Sequence, residues 1–294
     1  MKEMIYIDGE FIDAKTYAVQ LDNRGYQFGD GIHESLRVYN GKCFALVKHL
    51  ERYRRSMREL YIPITDTDIE MFDLFDEMAR ESGIDNGIIY FQLTRGTAPR
   101  TLRFQPQMMP HLNVIIRDIP VNTEWQENGI QAAITDDLRW ARCDINSTNM
   151  LANVMAQDAA YKRGYQAAIL CKKDTKVVTQ AADANLFIVR DGVLWTHPAD
   201  NNILAGVTRS TIVDALAKRL DLPVLQKPFK QDFMLGAEEM FLTNTYNEIV
   251  PVIKVEKTAI GTGEPGEITR QLQKSFKEFV AETISGEYKG IGIR

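Results

Sequence analysis

Few side chains in this chain have reactive potential, and they are scattered. His33 is a candidate acid/base, because an imidazole titrates near neutrality; a histidine that only packs is the alternative. Cys143 stands between Arg142 and Asp144, and an electropositive neighbour can activate a thiol. Arg52, Arg54, Arg55 and Arg58 form the one dense basic run. On a single helix, a solvated face accounts for all of them except Arg52. His49, His111 and His197 have no metal-ligand spacing to one another. No Walker motif and no Gly-x-Ser-x-Gly elbow is present. Gly29-x-Gly31 and Gly261-x-Gly263 read as turns.

These residues must be positioned by mixed elements. Strands are predicted at Met4–Ile7 and Gly9–Ile12 around an Asp8-Gly9 turn, and at Ser35–Tyr39 and Lys42–Ala45 around Asn40-Gly41, the strongest hairpin signal in the chain. Leu46, Leu50, Tyr53, Met57 and Leu60 recur at helical spacing until Pro63. A second helix is predicted near Asp66–Glu81, then strands at Gly87–Thr94 and His111–Ile116. Asp118–Asn122 reads as a linker. Beyond it the pattern gives a strand at Ile130–Thr135, a helix at Met150–Arg163, strands near Ala167–Cys171 and Lys176–Thr179, and a hairpin across Asp191-Gly192. Thr208 is expected to cap a helix that runs to Leu220. Two late strands, Glu238–Thr243 and Val250–Val255, precede a closing helix at Glu267–Thr283. Without regular βαβ alternation, the expectation is an α+β fold, in two domains at 1–119 and 120–294.

Composition narrows the function. The 294 residues are 45% hydrophobic and 26% charged, an ordinary globular balance. A net charge of −5 argues against nucleic-acid or anionic-membrane partners. Three cysteines are too few and too scattered for a disulfide framework or a zinc site. With no signal-peptide pattern and no apolar run near the ~20 residues that span a bilayer, a cytoplasmic protein is expected.

Several segments carry a resemblance. Arg24-Gly25-Tyr26-Gln27-Phe28-Gly29-Asp30-Gly31, Tyr90-Phe91-Gln92-Leu93-Thr94-Arg95-Gly96, Arg142-Cys143-Asp144-Ile145-Asn146-Ser147, Thr196-His197-Pro198-Ala199, Gly206-Val207-Thr208-Arg209 and Glu248-Ile249-Val250-Pro251 follow one another in order. Together they resemble the D-amino-acid aminotransferases, class IV (fold type IV) pyridoxal-phosphate enzymes, over nearly the whole chain. The resemblance implies a two-domain fold and a homodimer. It gives Arg52, Val207, Thr208, Asn244 and Thr245 to the cofactor phosphate, a role that suits a guanidinium fork and helix-start N–H groups. It gives Arg100 to a substrate carboxylate at the neighbouring subunit's site, with the family tyrosine near that carboxylate falling at His33. The family carries cysteine at Cys143 without using it.

The departures fall where the chemistry would be. The family lysine that forms the Schiff base falls at Asn146, and a carboxamide nitrogen, delocalised into its carbonyl, cannot condense with an aldehyde. The glutamate that keeps the pyridine nitrogen protonated falls at Gln180. The phosphate-binding serines fall at Ala181–Ala184, where Asp183 opposes a dianion. The family histidine two places beyond the arginine falls at Leu102. Lys172, Lys173 and Lys176 read as a solvated hairpin tip, not a substitute.

Three functions follow. The first is pyridoxal-independent chemistry on a small anionic carboxylate or amino-acid-like substrate, with His33, Asn146, Gln180 and Asp183 as the remodelled catalytic groups and no cofactor expected. The second is a non-catalytic binding or regulatory protein. The third is a pyridoxal-phosphate-dependent D-amino-acid transaminase with an altered catalytic lysine.

Overall fold

A computed structural model describes residues 3–12 and 19–286. The chain divides into two compact units. One comprises Met1–Pro120, Ile145–Asn149 and Ala281–Arg294; the other comprises Val121–Asp144 and Met150–Val280. The expected single cut at 119/120 is therefore corrected. Ile145–Asn149 returns to the first unit because its main chain bonds the edge of the Gly31–Tyr39 strand. His33 N–H donates to Asn146 O at 2.9 Å, Thr148 N–H donates to Gly31 O at 3.0 Å, and Ser147 bridges Ile32.

The first unit is built on a six-stranded antiparallel sheet in the order Glu10–Ile12, Met4–Ile7, His111–Arg117, Gly87–Thr94, Gly31–Tyr39, Lys42–Cys43. Asn40 and Gly41 both take positive φ, 48° and 71°, as a tight hairpin between right-twisted strands requires. Alternate residues Ile32, Leu36 and Val38 are buried in one cluster with Leu46, Leu50, Tyr53 and Met57 of the Leu46–Glu59 helix. The helix Asp68–Ser82 opens on a capping box, in which Thr67 and Glu70 satisfy each other's backbone N–H. It ends at Gly83 with φ 65°.

The second unit carries a ten-stranded mixed sheet among the described residues. Val224–Gln226, Val193–Thr196, Asn185–Arg190, Glu239–Asn244, Glu248–Val255, Ile130–Asp136, Ala167–Cys171, Val177–Ala181 and Phe229–Lys230 lie side by side, with Thr258–Ala259 added to Glu248–Val255. Ile130–Asp136 runs parallel to both Glu248–Val255 and Ala167–Cys171. A continuous helical run covers Val207–Arg219, with a π-helical stretch at Ile212–Leu216. Thr208 does not cap it. Gly206 holds that position in extended conformation and its N–H donates to Asn185 Oδ1 at 3.1 Å. A Cβ on Gly206 would stand 2.1 Å from that oxygen, so a side chain there would displace the Asn185 amide from the cap, and Thr208 falls in the first turn.

Candidate active site

In the first unit the site grows from Glu34, which points inward on the Gly31–Tyr39 strand among Ile32, Leu36 and Val38. Its side chain is 0% exposed. Arg52 grips it with two bonds, Nε to Oε1 at 2.8 Å and Nη2 to Oε2 at 2.7 Å. His49 Nδ1 lies 2.9 Å from Oε2. Burial pushes this carboxyl up, but the Arg52 charge and the bonds from Arg52 and His49 outweigh it and hold the pKa at about 2. His49 is itself lowered by burial, so the ring is neutral and meets the carboxylate as an Nδ1–H donor.

Asn146 completes this cluster. Its Nδ2 donates to His33 O at 2.6 Å and approaches Glu34 Oε1 at 3.3 Å. The His33 side chain projects to the other face of the strand, as the period of two requires. There it stacks on Tyr90 with ring centroids 5.8 Å apart. His33 Nδ1 is buried with no hydrogen-bond partner among the described residues. Burial lowers its pKa, leaving a neutral imidazole able to take up or release a proton. Arg100 is exposed and rests over the Phe28 ring, 4.5 Å from its centroid. Leu102 is also exposed.

Glu34 escaped the sequence reading. The available signal was an acidic residue at an inward position of an otherwise apolar strand face. The reading of Arg54 as part of a solvated face is corrected too. Its guanidinium is buried, donates to Asp68 Oδ1 at 2.9 Å and to the Asp66 carbonyl, and lies over Tyr53.

In the second unit the turn Gln180–Asn185 is stitched to the start of the Val207–Arg219 helix. Gln180 Oε1 accepts from Leu204 N–H at 3.0 Å, and its Nε2 donates to Ala181 O at 3.0 Å. Asn185 Nδ2 donates to Leu204 O at 2.8 Å. Thr208 Oγ1 donates to Asn244 O at 3.3 Å, and Asn244 Nδ2 reaches Asp183 Oδ2 at 3.4 Å. Asn244 Oδ1 accepts Asn247 N–H at 2.8 Å, which shapes the loop that carries Thr245. Asp183 keeps solvent contact, yet the protein around it desolvates the carboxyl and raises its pKa.

Other candidates are inert. Cys143 Sγ donates to Trp140 O at 3.1 Å, and burial raises its pKa, so it stays a thiol. Lys172 is no solvated tip, since its Nζ lies 3.3 Å from the buried Asp137, whereas Lys173 and Lys176 are exposed. Among the described residues no group of three or more His, Cys, Asp or Glu could hold a metal, and no helix is long and apolar enough to cross a membrane.

Comparison with known proteins makes this α+β chain an aminotransferase-like protein. The family model for class IV amino-transferases matches residues 31–255, and the chain belongs to that family. It is 38% identical to the D-alanine aminotransferase of Staphylococcus haemolyticus over 282 residues, covering 96% of this chain and 99% of that one. It is 34% identical to the D-alanine aminotransferase of Listeria monocytogenes over 277 residues, covering 93% and 95%. The fold is that of the Escherichia coli branched-chain amino acid aminotransferase, with a TM-score of 0.88 at 22% identity and 94% of both chains covered. It is equally that of the T.th. branched-chain amino acid aminotransferase solved with pyridoxamine 5'-phosphate, with a TM-score of 0.86 at 21% identity and 98% and 96% covered. These findings overturn the expectation that no cofactor is involved. Two solved structures of this fold, both of the T.th. branched-chain amino acid aminotransferase, hold N-(5'-phosphopyridoxyl)-L-glutamate and pyridoxamine 5'-phosphate, and the relatives similar over nearly the whole chain are D-alanine aminotransferases.

Proposed function

We propose that this chain is a pyridoxal-phosphate-dependent aminotransferase for D-amino acids, D-alanine among them, which works with asparagine at position 146 where the family lysine falls. The reading is carried by the near-full-length likeness to D-alanine aminotransferases. Each unit by itself carries groups that suit part of the cofactor, although Gln180 and Asp183 depart from the family pattern. In the first unit, Arg52 is anchored and oriented by Glu34, and His33 Nδ1 is a buried polar atom without a protein partner among the described residues. In the second, the N–H groups of Val207 and Thr208 open a helix of thirteen residues, read from its three contiguous segments.

When bound, pyridoxal phosphate supplies an aldehyde for the amino group and a ring that accepts electrons. The chain's own groups do the rest. Arg100 holds the substrate carboxylate through charge-assisted hydrogen bonds. His33 Nδ1 holds or releases the proton that moves during the exchange. Asn146 has no amine to give and spends its amide on His33 O and Glu34. The cofactor is therefore retained by non-covalent contacts and leaves on dialysis. A homodimer and a small anionic amino acid or oxo acid as partner belong to the same reading.

The test supplies the chain with pyridoxal phosphate, 2-oxoglutarate and either D- or L-alanine, and follows pyruvate. Pyruvate above the protein-free rate is expected from D-alanine, lost on dialysis and regained when pyridoxal phosphate is added back. No pyruvate from D-alanine, or equal rates from both enantiomers, refutes the reading.

A further inference from the structure

The turn that carries Asp183 is clamped on both sides against the start of the Val207–Arg219 helix, by Gln180 to Leu204 and by Asn185 to Leu204 and Gly206. Asn153 fixes its middle, donating from Nδ2 to Ala182 O at 2.6 Å. A chain of polar contacts then runs from the helix start to the carboxyl, Thr208 Oγ1 to Asn244 O and Asn244 Nδ2 to Asp183 Oδ2. The backbone donors of a helix start attract an anion, and here a carboxylate is tied to the helix start through Asn244.

We propose that Asp183 makes phosphate binding at this helix start proton-linked, so that a phosphate group enters together with one proton taken up by the Asp183 carboxyl. This rests on the function proposed above and names a regulation of the same site. Two anions cannot share the helix start without a large repulsion. A protonated carboxyl instead donates a hydrogen bond to a phosphate oxygen. The balance is simple: phosphate dianion, carboxylate and one proton combine, and no bond to phosphorus forms or breaks.

The surroundings leave this carboxyl as the group that responds. The side chains that hydrogen-bond at the turn, Asn153, Gln180, Asn185 and Asn244, are uncharged. Arg209, one residue beyond Thr208, is turned away and donates to His197 O and Gln226 Oε1, each at 2.8 Å. The carboxyl's pKa is raised by desolvation, with no neighbouring charge among the causes.

The experiment measures pyridoxal 5'-phosphate binding to the full chain by titration calorimetry from pH 6.5 to 8.5, in buffers of differing ionisation enthalpy. The wild type and the variants Asp183→Asn and Asp183→Ser are compared. A ligand phosphate is largely dianionic across this range, its second pKa being about 6. For the wild type we expect about one proton taken up, and affinity falling up to about tenfold per pH unit, the slope of a one-proton linkage. Both variants should bind with little proton uptake and a profile flat to within about threefold, and should bind more tightly than wild type at pH 8.5. The serine variant keeps a small polar side chain should the amide disturb the turn. Parallel profiles and equal proton counts in all three proteins overturn the linkage and leave the proposed function standing. Absence of binding by any of them at any pH overturns both.

Discussion

Replacing Arg52 by methionine probes the centre of the first unit's site without depending on turnover. Arg52 is the principal counter-charge of a carboxylate with no solvent contact. A carboxyl whose pKa falls from 4.5 to about 2 on folding contributes about 3 kcal/mol at neutral pH. That stability is present above pH 4.5 and is lost as pH falls toward about 2. Removing the partner of a buried ion pair costs roughly 3–5 kcal/mol, because the remaining charge is stranded. At ~2–3 °C per kcal/mol for a chain of this size, the melting temperature of Arg52→Met should drop by roughly 6–15 °C at pH 8. The sign of the pH response also changes. Without Arg52, burial dominates and raises the Glu34 pKa above its unfolded value, so the variant loses stability as pH rises. The gap between variant and wild type should therefore narrow from pH 8 to pH 5, measured by thermal or urea melts at each pH. A variant within about 1 °C of wild type at pH 8 by the same scale, or a gap independent of pH, would refute this account of Glu34.

Thr67→Ala removes one half of the capping box at the Asp68–Ser82 helix and should cost about 1 kcal/mol in a urea melt; no change in midpoint would mean the box is redundant. Arg100→Ala should raise KM for D-alanine by roughly tenfold or more, the worth of a charged hydrogen bond, while leaving the melting temperature nearly unchanged because Arg100 is exposed and rests on the half-buried Phe28 ring. Asn146→Lys alone should raise D-alanine turnover only modestly over wild type, and adding Gln180→Glu and Asp183→Ser should raise it by more than the product of the separate effects, since all three serve one cofactor; strictly multiplicative rates would show that the positions act independently.

Local patterns in the sequence located most elements, because their causes are local. Asn40-Gly41 marks its hairpin since both residues accept positive φ, and the 46, 50, 53, 57 spacing marks the helix that covers the first sheet. The cap lies two residues before Thr208, because what fixes Gly206 is Asn185, twenty-one residues earlier. Arg54 leaves the solvated face for the same kind of reason, its partners being Asp66 and Asp68 on the next helix's approach. Glu34 was invisible as a hub because Arg52, His49 and Asn146 meet it only after folding. The resemblance named Arg52, Asn146, Asp183 and Thr208, but not the hydrogen bonds through which Asn146 joins Glu34 or Asn244 joins Asp183 to Thr208.

The Ile145–Asn149 segment is held to the sheet edge by peptide groups, His33 N–H to Asn146 O and Thr148 N–H to Gly31 O. Peptide groups are the same whatever the side chain, so position 146 works as a socket that presents any residue at the same place beside Glu34. Asparagine and lysine codons differ only at the third base. A single nucleotide change can therefore seat or remove an amine there without rebuilding the scaffold. On such an architecture the reactive group and the fold evolve on separate clocks.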